Sequence, residues 1–468
     1  MASSTAPRPS VFHHPNYRKL WTAATVSLFG TQVSQIAIPF IAAVVLHASP
    51  GEVGLLTTID FLPFILFTLP AGVWVDRFPK KRILVFGDLG RAAMLLSIPI
   101  AWWLDALTIW QLYIVGFVNG TMTVFFDVAD QSYLPTILDR EDLVDGNAKL
   151  QISQSSAQIL GQPVGGGIVA LLTAPVAVLI DAVSYVGSAG LILSIRETAR
   201  RAAGVVGAGP AVAAATQADD VAPPPATGVS VAVEAAAAEA SPTAGAGALD
   251  APAGMRTQIM DGLRYILRHE YLGNVAATTA TANLFGNIGM AIFPVFAYRE
   301  LAMSPAAVGT VGGIGGAGVL IGALVATRVQ RRLGIGRTIV LTAALFGPVG
   351  LLIPLATPEL ALVFLSTSFF IASIGNVVYN VSQISLRQAI TPEHFLGRMN
   401  ATMRFLVWGT IPIGSLIGAG LSEVVGVRTT MWISAILGFL PFLAVFFSKV
   451  RSIQTIPTED PDAASPAA

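Results

Sequence analysis

The stretch PAGVWVDRFPKKR, at residues 70–82, separates two long apolar runs and carries four basic side chains and one acidic side chain. The run before it covers residues 53–75, and the run after it covers residues 82–104. Each run is long enough to cross the ~30 Å hydrocarbon core of a bilayer as a helix. Basic residues between two such helices favour the cytoplasmic side. The stretch therefore predicts a membrane hairpin whose loop lies in the cytoplasm.

Ten further apolar runs extend this hairpin to twelve predicted membrane helices. The composition agrees, because 54% of the chain is hydrophobic and only 12% is charged, whereas a soluble domain carries roughly 25% charged residues. We therefore predict an all-α integral membrane protein. Its spans lie near residues 19–46, 53–75, 82–104, 108–133, 147–172, 175–196, 272–298, 305–327, 337–357, 359–386, 396–422 and 427–448.

Lysine and arginine are concentrated on alternate loops. The loops on the same side of the membrane as residues 70–82 hold nearly all of these cations. The loops on the other side hold only Arg299 and Arg428. The excess of positive charge inside the cell predicts both termini in the cytoplasm of a multi-pass cell-membrane protein. The first 18 residues lack the apolar core of a signal peptide, so the first run is expected to remain as a helix.

Glycine spacing divides the twelve runs into two halves. Asn147-Ala148 and Asn400-Ala401 each open a helix, and at the same distance from each follow GQPVGGG, from Gly161, and GSLIGAG, from Gly414. This predicts two pseudo-symmetric six-helix bundles.

The predicted domains follow from this division and from local composition. Residues 200–254 are rich in Ala, Gly and Pro and indicate a flexible cytoplasmic linker, with a folded soluble insert as the alternative. Residues 255–271 place Ile259, Leu263, Ile266 and Leu267 on one face, which indicates an interfacial amphipathic helix. The remaining domains are an N-terminal tail at 1–18, bundles at 19–199 and 272–449, and a C-terminal tail at 450–468.

The stretch at residues 70–82 resembles the signature loop of the major facilitator superfamily, G-x-x-x-D-R-x-G-R-[KR]. The matching residues are Gly72, Asp76, Arg77, Lys81 and Arg82. Pro79 replaces the second glycine. By this resemblance the loop is a conformational gate: a contact of Asp76 would hold the two halves together on the cytoplasmic side and break during inward opening.

Two further segments are similar to the branch of this superfamily that includes macrolide-efflux proteins and the enterobactin exporter. They are FFDVADQSYLP at residues 125–135 and EDLVDGNAKL at residues 141–150. The resemblance implies alternating access around a midplane site and export of an amphipathic small molecule, driven by proton antiport.

The fifth helix shows one departure from the drug–proton antiporters of this superfamily, which carry G-P-x-x-G-G. Here the sequence reads GQPVGG at residues 161–166, so the proline is displaced by one place. We expect Gly161, Pro163, Gly165 and Gly166 to form a bent, closely packed helix. The fourth helix lacks the arginine of the antiporter motif R-x-x-Q-G, since residues 116–120 read GFVNG. A coupling scheme based on that arginine does not transfer.

Acidic residues inside the apolar runs are candidates for proton coupling, because intramembrane charge is costly and a carboxyl group removed from water can exchange protons near neutral pH. The candidates are Asp60, Asp127, Asp130 and Asp181. A structural hydrogen bond or interhelical pair is the alternative role for each. Asp88 and Arg91 are three residues apart and are expected to form a structural charge pair.

Polar residues at helical spacing indicate faces that could line a cavity. In the family that the loop resembles, helices 1, 4, 7 and 10 line the central cavity. The candidates for substrate contact are Gln32, Gln35, Asn119, Asn283, Asn287, Asn376, Tyr379, Asn380 and Gln383. A glutamine stripe on helix 5, which ends at Gln162, fits helix–helix adhesion equally well.

Other chemistries find little support in the sequence. There are no cysteines, and the five histidines show no metal-ligand spacing. The net charge of zero gives no indication of a nucleic-acid partner. We expect no enzymatic activity, no metal and no cofactor beyond a proton gradient. The expected partners are the lipid bilayer and a small-molecule substrate, and we expect a monomer. Three alternatives to export stay open: a metabolite uptake carrier or uniporter, a lysophospholipid flippase, and a non-transporting membrane scaffold.

Overall fold

The computed structural model describes residues 10–75, 77–139, 142–196, 263–266, 268–392, 399, 402–403 and 406–454. These residues form helices joined by short turns, without a β-strand among them. The main helices are α1 (Pro15–Phe40), α2 (Pro50–Val75), α3 (Lys80–Trp103), α4 (Ile109–Ile137), α5 (Leu143–Leu172), α6 (Ala174–Leu193), α7 (Leu272–Met290), α8 (Pro305–Leu333), α9 (Ile335–Ala344), α10 (Ala361–Ile390), α11 (Thr410–Val425) and α12 (Val427–Leu437).

Several helices continue past a local irregularity. A π-helical turn prolongs α1 at Ile41–Val45, and another prolongs α7 at Phe296–Glu300. Short helices at Phe346–Gly350 and Leu352–Leu355 prolong α9, and Pro441–Phe446 prolongs α12. These extensions give the affected helices the length that a membrane crossing needs.

Ten helices of the described chain are long and apolar enough to cross a membrane. The predicted all-helical membrane fold is confirmed, and hydropathy supports ten of its twelve spans. The other two helices are α5 and α11. Helix α5 carries the glutamine stripe, which lowers its hydropathy, and α11 has only 16 residues in its described part.

The helices form two compact units that depart from a simple division at the linker. The first unit consists of the described parts of Met1–Leu46, Leu62–Ala214 and Ser304–Gly309. The second consists of the described parts of His47–Phe61, Ala215–Met303 and Thr310–Ala468. The start of α2 thus belongs with the helices of the second half of the sequence, and the start of α8 belongs with those of the first half.

The two exchanged segments begin in the same way. The pattern L-x-x-S-P-x-x-V-G leads into both of them, at residues 46–54 and 301–309, and in it Ser49-Pro50 opens α2 and Ser304-Pro305 opens α8. Ser49 Oγ accepts a hydrogen bond from the N–H of Glu52, and Ser304 Oγ accepts one from the N–H of Ala307, each at 3.2 Å. A serine cap followed by proline is a favourable start for a helix. This repeat adds to the glycine repeat and was missed by the sequence analysis.

Glycines let each exchanged segment approach its neighbour. A Cβ atom on Gly54 would lie 2.7 Å from the Cβ of Ala419, so α2 packs directly on α11. Gly309 of α8 lies in the same way against the backbone carbonyl of Gln162 on α5. In addition, the N–H of Gly51 donates a hydrogen bond of 2.7 Å to Glu423 of α11. Close packing and one charge-assisted hydrogen bond therefore hold the start of α2 on α11.

The glycine repeat seen in the sequence corresponds to equivalent helix contacts. Gly165 of α5 lies against the backbone of α1 at Val33. Gly414 and Gly418 of α11 lie against the backbone carbonyls of Leu284 and Ile288 on α7. The fifth helix of each half therefore packs on the first helix of that half, as expected for pseudo-symmetric bundles.

Arg428, at the start of α12, forms hydrogen bonds with the ends of two other helices of the second unit. Its Nη1 donates to the carbonyl oxygens of Pro354 and Ala356 at 3.0 Å each, and its Nε donates to Glu300 at 3.2 Å. The guanidinium also lies 5.2 Å from the ring centroid of Phe296. It thus satisfies carbonyls that the end of the α9 extension leaves without helical partners.

Part of the predicted domain map falls outside the described residues. The linker at 200–254 does, as do the first nine residues and residues 455–468. Of the predicted interfacial helix at 255–271, Ile266 is fully buried in a hydrophobic core with Leu272, Ile339 and Val450. This side chain contacts protein, and the membrane-surface position of that helix stays a prediction.

Candidate functional site

Asp88 and Arg91 form a buried ion pair within α3. Arg91 Nη2 lies 2.5 Å from Asp88 Oδ1, and the two residues are 5% and 0% exposed. The pair is incompletely saturated: Asp88 Oδ2 and Arg91 Nε find no hydrogen-bond partner among the described residues. Ser188 of α6 lies beside Asp88 without completing a hydrogen bond to it. The buried pair therefore has one unused hydrogen-bond donor, Arg91 Nε, and one unused acceptor, Asp88 Oδ2.

Two aromatic rings enclose the guanidinium of Arg91. Its Cζ lies 4.2 Å from the ring centroid of Phe126 on α4 and 4.3 Å from that of Tyr185 on α6. Both distances are within the range of a cation–π interaction, which strengthens when the cation is desolvated. The hydroxyl of Tyr185 is held at 2.9 Å by Thr31 of α1. The packing of α4 and α6 on α3 thus fixes the cation between two rings.

Three more candidate carboxyl groups lie on α4 and α6, the helices that pack against α3. Asp127 and Asp130 of α4 and Asp181 of α6 all interact electrostatically with Arg91. Asp181 is 1% exposed, and Ser184 Oγ donates a hydrogen bond of 3.2 Å to its Oδ1. Three of the four candidate proton carriers in the sequence therefore lie on the two helices whose aromatic rings contact Arg91.

Asp60, the fourth candidate, lies in the part of α2 that belongs to the other unit. It is half-buried. Its carboxyl receives no hydrogen bond and no ion pair from a described residue. Asp60 is thus a separate candidate with its own surroundings.

The residues of the signature loop are placed only in part. Asp76 lies outside the described residues, and Gly72 is in the last turn of α2. Lys81 Nζ donates to the carbonyl oxygen of Ile195, just beyond α6, at 2.7 Å. Arg77 and Arg82 are exposed. The lysine therefore binds a helix C-terminus, where a cation is favourable, and the gating role of the loop stays a prediction.

A ladder of polar side chains runs along α10. Arg387 Nη1 donates to Gln383 Oε1 at 3.0 Å, Gln383 Nε2 donates to Asn380 Oδ1 at 3.3 Å, and Asn380 Nδ2 donates to Asn376 Oδ1 at 2.5 Å. Tyr379, on the same helix, shares a hydrogen bond of 2.8 Å with Thr279 of α7. Gln383 and Tyr379 are 3% and 2% exposed. These side chains therefore contact one another and neighbouring helices in this conformation.

The remaining cavity candidates lie mainly at helix contacts. Gln32 is 5% exposed and lies against Gly161 of α5. Asn283 Nδ2 donates to the carbonyl oxygen of Val407 at 3.2 Å, and Asn287 Nδ2 donates to the carbonyl oxygen of Asn283 at 2.8 Å. Contact of these side chains with a substrate stays a prediction.

Two cavity candidates on α1 and α4 differ in their bonding. Asn119 Oδ1 is buried without a hydrogen-bond partner among the described residues, so this atom is available to a polar group that reaches it. Gln35 is half-buried and takes part in other contacts.

The α5 motif packs on two neighbours at once. Gly161 and Gly165 lie against α1, whereas Gly166 lies against the backbone of Pro305 at the start of α8. Pro163 lies inside the helix between these contacts. The displaced proline is therefore compatible with glycine-mediated packing on both sides.

Among the described residues, no group of three or more His, Asp or Glu could hold a metal ion.

Known proteins match this chain in sequence and in fold. The sequence profile of the Major Facilitator Superfamily matches residues 20–410 and, in a second match, 274–467. The multidrug efflux pump Tap of Mycobacterium bovis is 22% identical over 94% of this chain and 95% of its own. Macrolide efflux protein A of Streptococcus pyogenes is 28% identical over 31% of this chain. The chain spans only 36–43% of the length of the Bacillus and Streptococcus relatives that it matches.

The solved structures agree on the fold. A bacterial homologue of the iron transporter ferroportin, in its inward-facing state, superimposes with a TM-score of 0.67 and 14% identity, over 95% of this chain and 100% of that one. At this identity the likeness concerns the fold alone. Together with the helical membrane architecture and the family profile across the chain, it shows that this protein belongs to the major facilitator superfamily of membrane transporters.

Proposed function

We propose that this transporter exports an amphipathic small molecule by alternating access, in antiport with protons. The observation that carries the export direction is the match to a multidrug efflux pump over 94% of this chain. Two further matches are to macrolide efflux proteins. A macrolide or another large, weakly basic amphipathic compound is the first substrate to test.

The proton coupling is supported by the carboxyl groups of the first unit. Asp127, Asp130 and Asp181 share the surroundings of a single arginine. A carboxylate that is removed from water, as Asp181 is at 1% exposure, is costly unless it pairs with a cation or holds a proton. The site can therefore bind protons in one conformation and release them when water reaches it in another.

Transport into inverted membrane vesicles tests both parts of the proposal. Vesicles that acidify their interior should accumulate a radiolabelled macrolide, and collapse of the proton gradient should abolish the accumulation. D181N should lose accumulation, whereas D145N should retain it. Asp145 is exposed, pairs with Lys149 and accepts a hydrogen bond from the N–H of Val11. Accumulation that persists without a proton gradient would refute antiport. Uptake only in the opposite orientation would refute export.

A further inference from the structure

The turn between α8 and α9 concentrates positive charge. Arg331 and Arg332 lie in the last turn of α8, and Arg337 lies in the first turn of α9. All three side chains are exposed, and none forms an ion pair with a described residue. A cation is favourable at the C-terminal end of a helix but unfavourable at the N-terminal end. The field of α9 therefore favours an anion beside Arg337.

The segment that follows α12 brings two more cations to this turn. The N–H of Gly336 donates a hydrogen bond of 3.0 Å to the carbonyl oxygen of Ile453. A Cβ atom on Gly336 would lie 1.9 Å from the carbonyl oxygen of Val450, so glycine is needed for this close approach. Val450 is fully buried, whereas Lys449 and Arg451 on either side of it are exposed. We call the following residues the basic patch: Arg331, Arg332, Arg337, Lys449 and Arg451.

The described chain gives the basic patch little negative charge. Glu270 forms an ion pair with Lys449. The four arginines of the patch have no carboxylate of a described residue at ion-pair distance. Glu300 precedes the start of α8 and Glu359 follows the extension of α9, so both lie at the opposite ends of these helices, roughly 30–40 Å away. The patch is therefore suited to an anion from outside the chain.

An exposed apolar row on α9 leads up to the basic patch. Leu341 and Leu345 follow Arg337 at intervals of four residues, so the three lie on the same side of the helix. Both leucines are exposed. Because α9 and its extension are long and apolar enough to cross a membrane, leucines exposed on this surface can meet acyl chains. The row therefore places hydrocarbon contacts directly beside a cation.

The end of the α12 extension repeats this arrangement beside α9. Pro441–Phe446 packs on α9, and so does Lys449–Ser452. Phe447, between these two segments, is 79% exposed. The guanidinium carbon of Arg451 lies 5.8 Å from the ring centroid of Phe446. Exposed cations therefore border exposed apolar side chains on two neighbouring elements.

We propose that the basic patch binds the headgroup of an anionic phospholipid, whose acyl chains lie along the exposed leucines of α9 and the phenylalanines at the end of the α12 extension. A phosphodiester accepts paired hydrogen bonds from the fork of an arginine. The apolar side chains favour a ligand that carries its own hydrocarbon, so the patch selects a lipid over a soluble phosphate. This surface belongs to the second unit alone, and the inference goes beyond the proposed function.

Native mass spectrometry of the full-length protein tests the inference, because it counts the lipids that stay bound. The protein in detergent is titrated with an equimolar mixture of phosphatidylglycerol and phosphatidylcholine. Phosphatidylglycerol should bind at the lower concentration, and added salt should weaken this preference. Each basic residue near an anionic lipid surface strengthens binding roughly fivefold, so R337Q combined with R451Q should reduce the preference at least about fivefold. R331Q combined with R332Q should do the same, which keeps the test decisive if one pair of substitutions disturbs the fold.

Matched variants separate a specific site from a general attraction between cations and lipid. R337K combined with R451K retains both charges and should retain most of the preference. R77Q combined with R82Q removes two exposed cations from the first unit and should leave the preference unchanged.

Three results would overturn the inference. Equal losses in the first-unit control and in the patch variants would show a general attraction without a site. Displacement of phosphatidylglycerol by inorganic phosphate at the same concentration would show an anion site that needs no lipid. A preference that appears only after removal of residues 455–468, which carry Glu459, Asp460 and Asp462, would show that the acidic end of the chain occupies the patch. The measurement uses no transport substrate, so its result is independent of the proposed function.

Discussion

Replacing Gly54 by alanine should separate the start of α2 from α11. The added Cβ atom would lie 2.7 Å from the Cβ and 3.0 Å from the Cα of Ala419. Non-bonded carbon atoms settle at about 3.5–4.0 Å, so the helices must move apart by roughly 1 Å. Overpacking of this kind costs about 1–3 kcal/mol. The packed arrangement should become roughly 5–150-fold less populated relative to any arrangement in which the two helices are apart.

A single cysteine can report this change, because the chain has no cysteine of its own. Thr58 is 7% exposed and lies one helical turn from Gly54, and its hydroxyl donates a hydrogen bond to the carbonyl oxygen of Gly54 in the same helix. T58C should therefore react slowly with a maleimide in detergent micelles. Adding G54A should raise the rate at least several-fold.

Matched variants test whether the Ala419 contact is the cause. A419G removes the methyl group that G54A would meet, so the combination of both should return the T58C labelling rate towards its original value. G167A and G420A place a methyl group where no other helix or side chain of the described residues lies within 4 Å, so they should leave the rate unchanged. If G54A fails to accelerate labelling, or A419G fails to reverse the acceleration, the packing argument is wrong.

Three further predictions concern stability, measured as thermal unfolding in detergent. Thr173 has a φ of 73°, which is unfavourable for a β-branched residue. T173G should therefore stabilise the protein by about 1 kcal/mol, and a lower melting temperature would contradict this. R428A should destabilise by about 1–3 kcal/mol because it leaves buried carbonyls without donors, and R428K should lose less; equal melting temperatures for R428A and the unmodified protein would contradict it. Burial lowers the pKa of His269, and its Nδ1 accepts a hydrogen bond of 3.2 Å from the N–H of Tyr271. The folded protein therefore binds this proton less well than the unfolded chain does. Stability should fall as the pH drops below about 6.5, the pKa of histidine in the unfolded chain. H269Q should remove that pH dependence, and an unchanged dependence would show that another group titrates.

The fold was predictable because its main determinants are local. The length of each apolar run depends on the covalent chain alone and can be compared directly with the thickness of the bilayer. The orientation indicated by the cations stays a prediction. Helix α5 was also predicted, as the apolar run near residues 147–172, and the glycine pattern from Gly161, which repeats that from Gly414, marked it as the equivalent of α11. The pattern shared by Ser49-Pro50 and Ser304-Pro305 was equally visible, yet it was missed because it lies at helix starts rather than within apolar runs.

The candidate site was less predictable, because helical periodicity shows which residues share a face but not what that face meets. The spacing of Asp88 and Arg91 indicates a pair, whereas the rings of Phe126 and Tyr185 come from two other helices. Gln383 belongs to a polar stripe in the sequence, but only packing shows that it is 3% exposed. Which side chains reach substrate depends on the conformations that α10 and its neighbours adopt during transport.

The attachment of the start of α2 to α11 has a consequence for biosynthesis. Gly51 and Glu423, which join these helices, are 372 residues apart along the chain. At about 5–20 residues per second, the ribosome needs roughly 20–75 s to supply the second after the first. The reciprocal hydrogen bonds of Ser49 and Glu52 are local, so α2 can form at once as a helix. The glycine face of α2 must then contact lipid or the insertion machinery until α11 has been made. Synthesis of the first half alone would leave that face without α11.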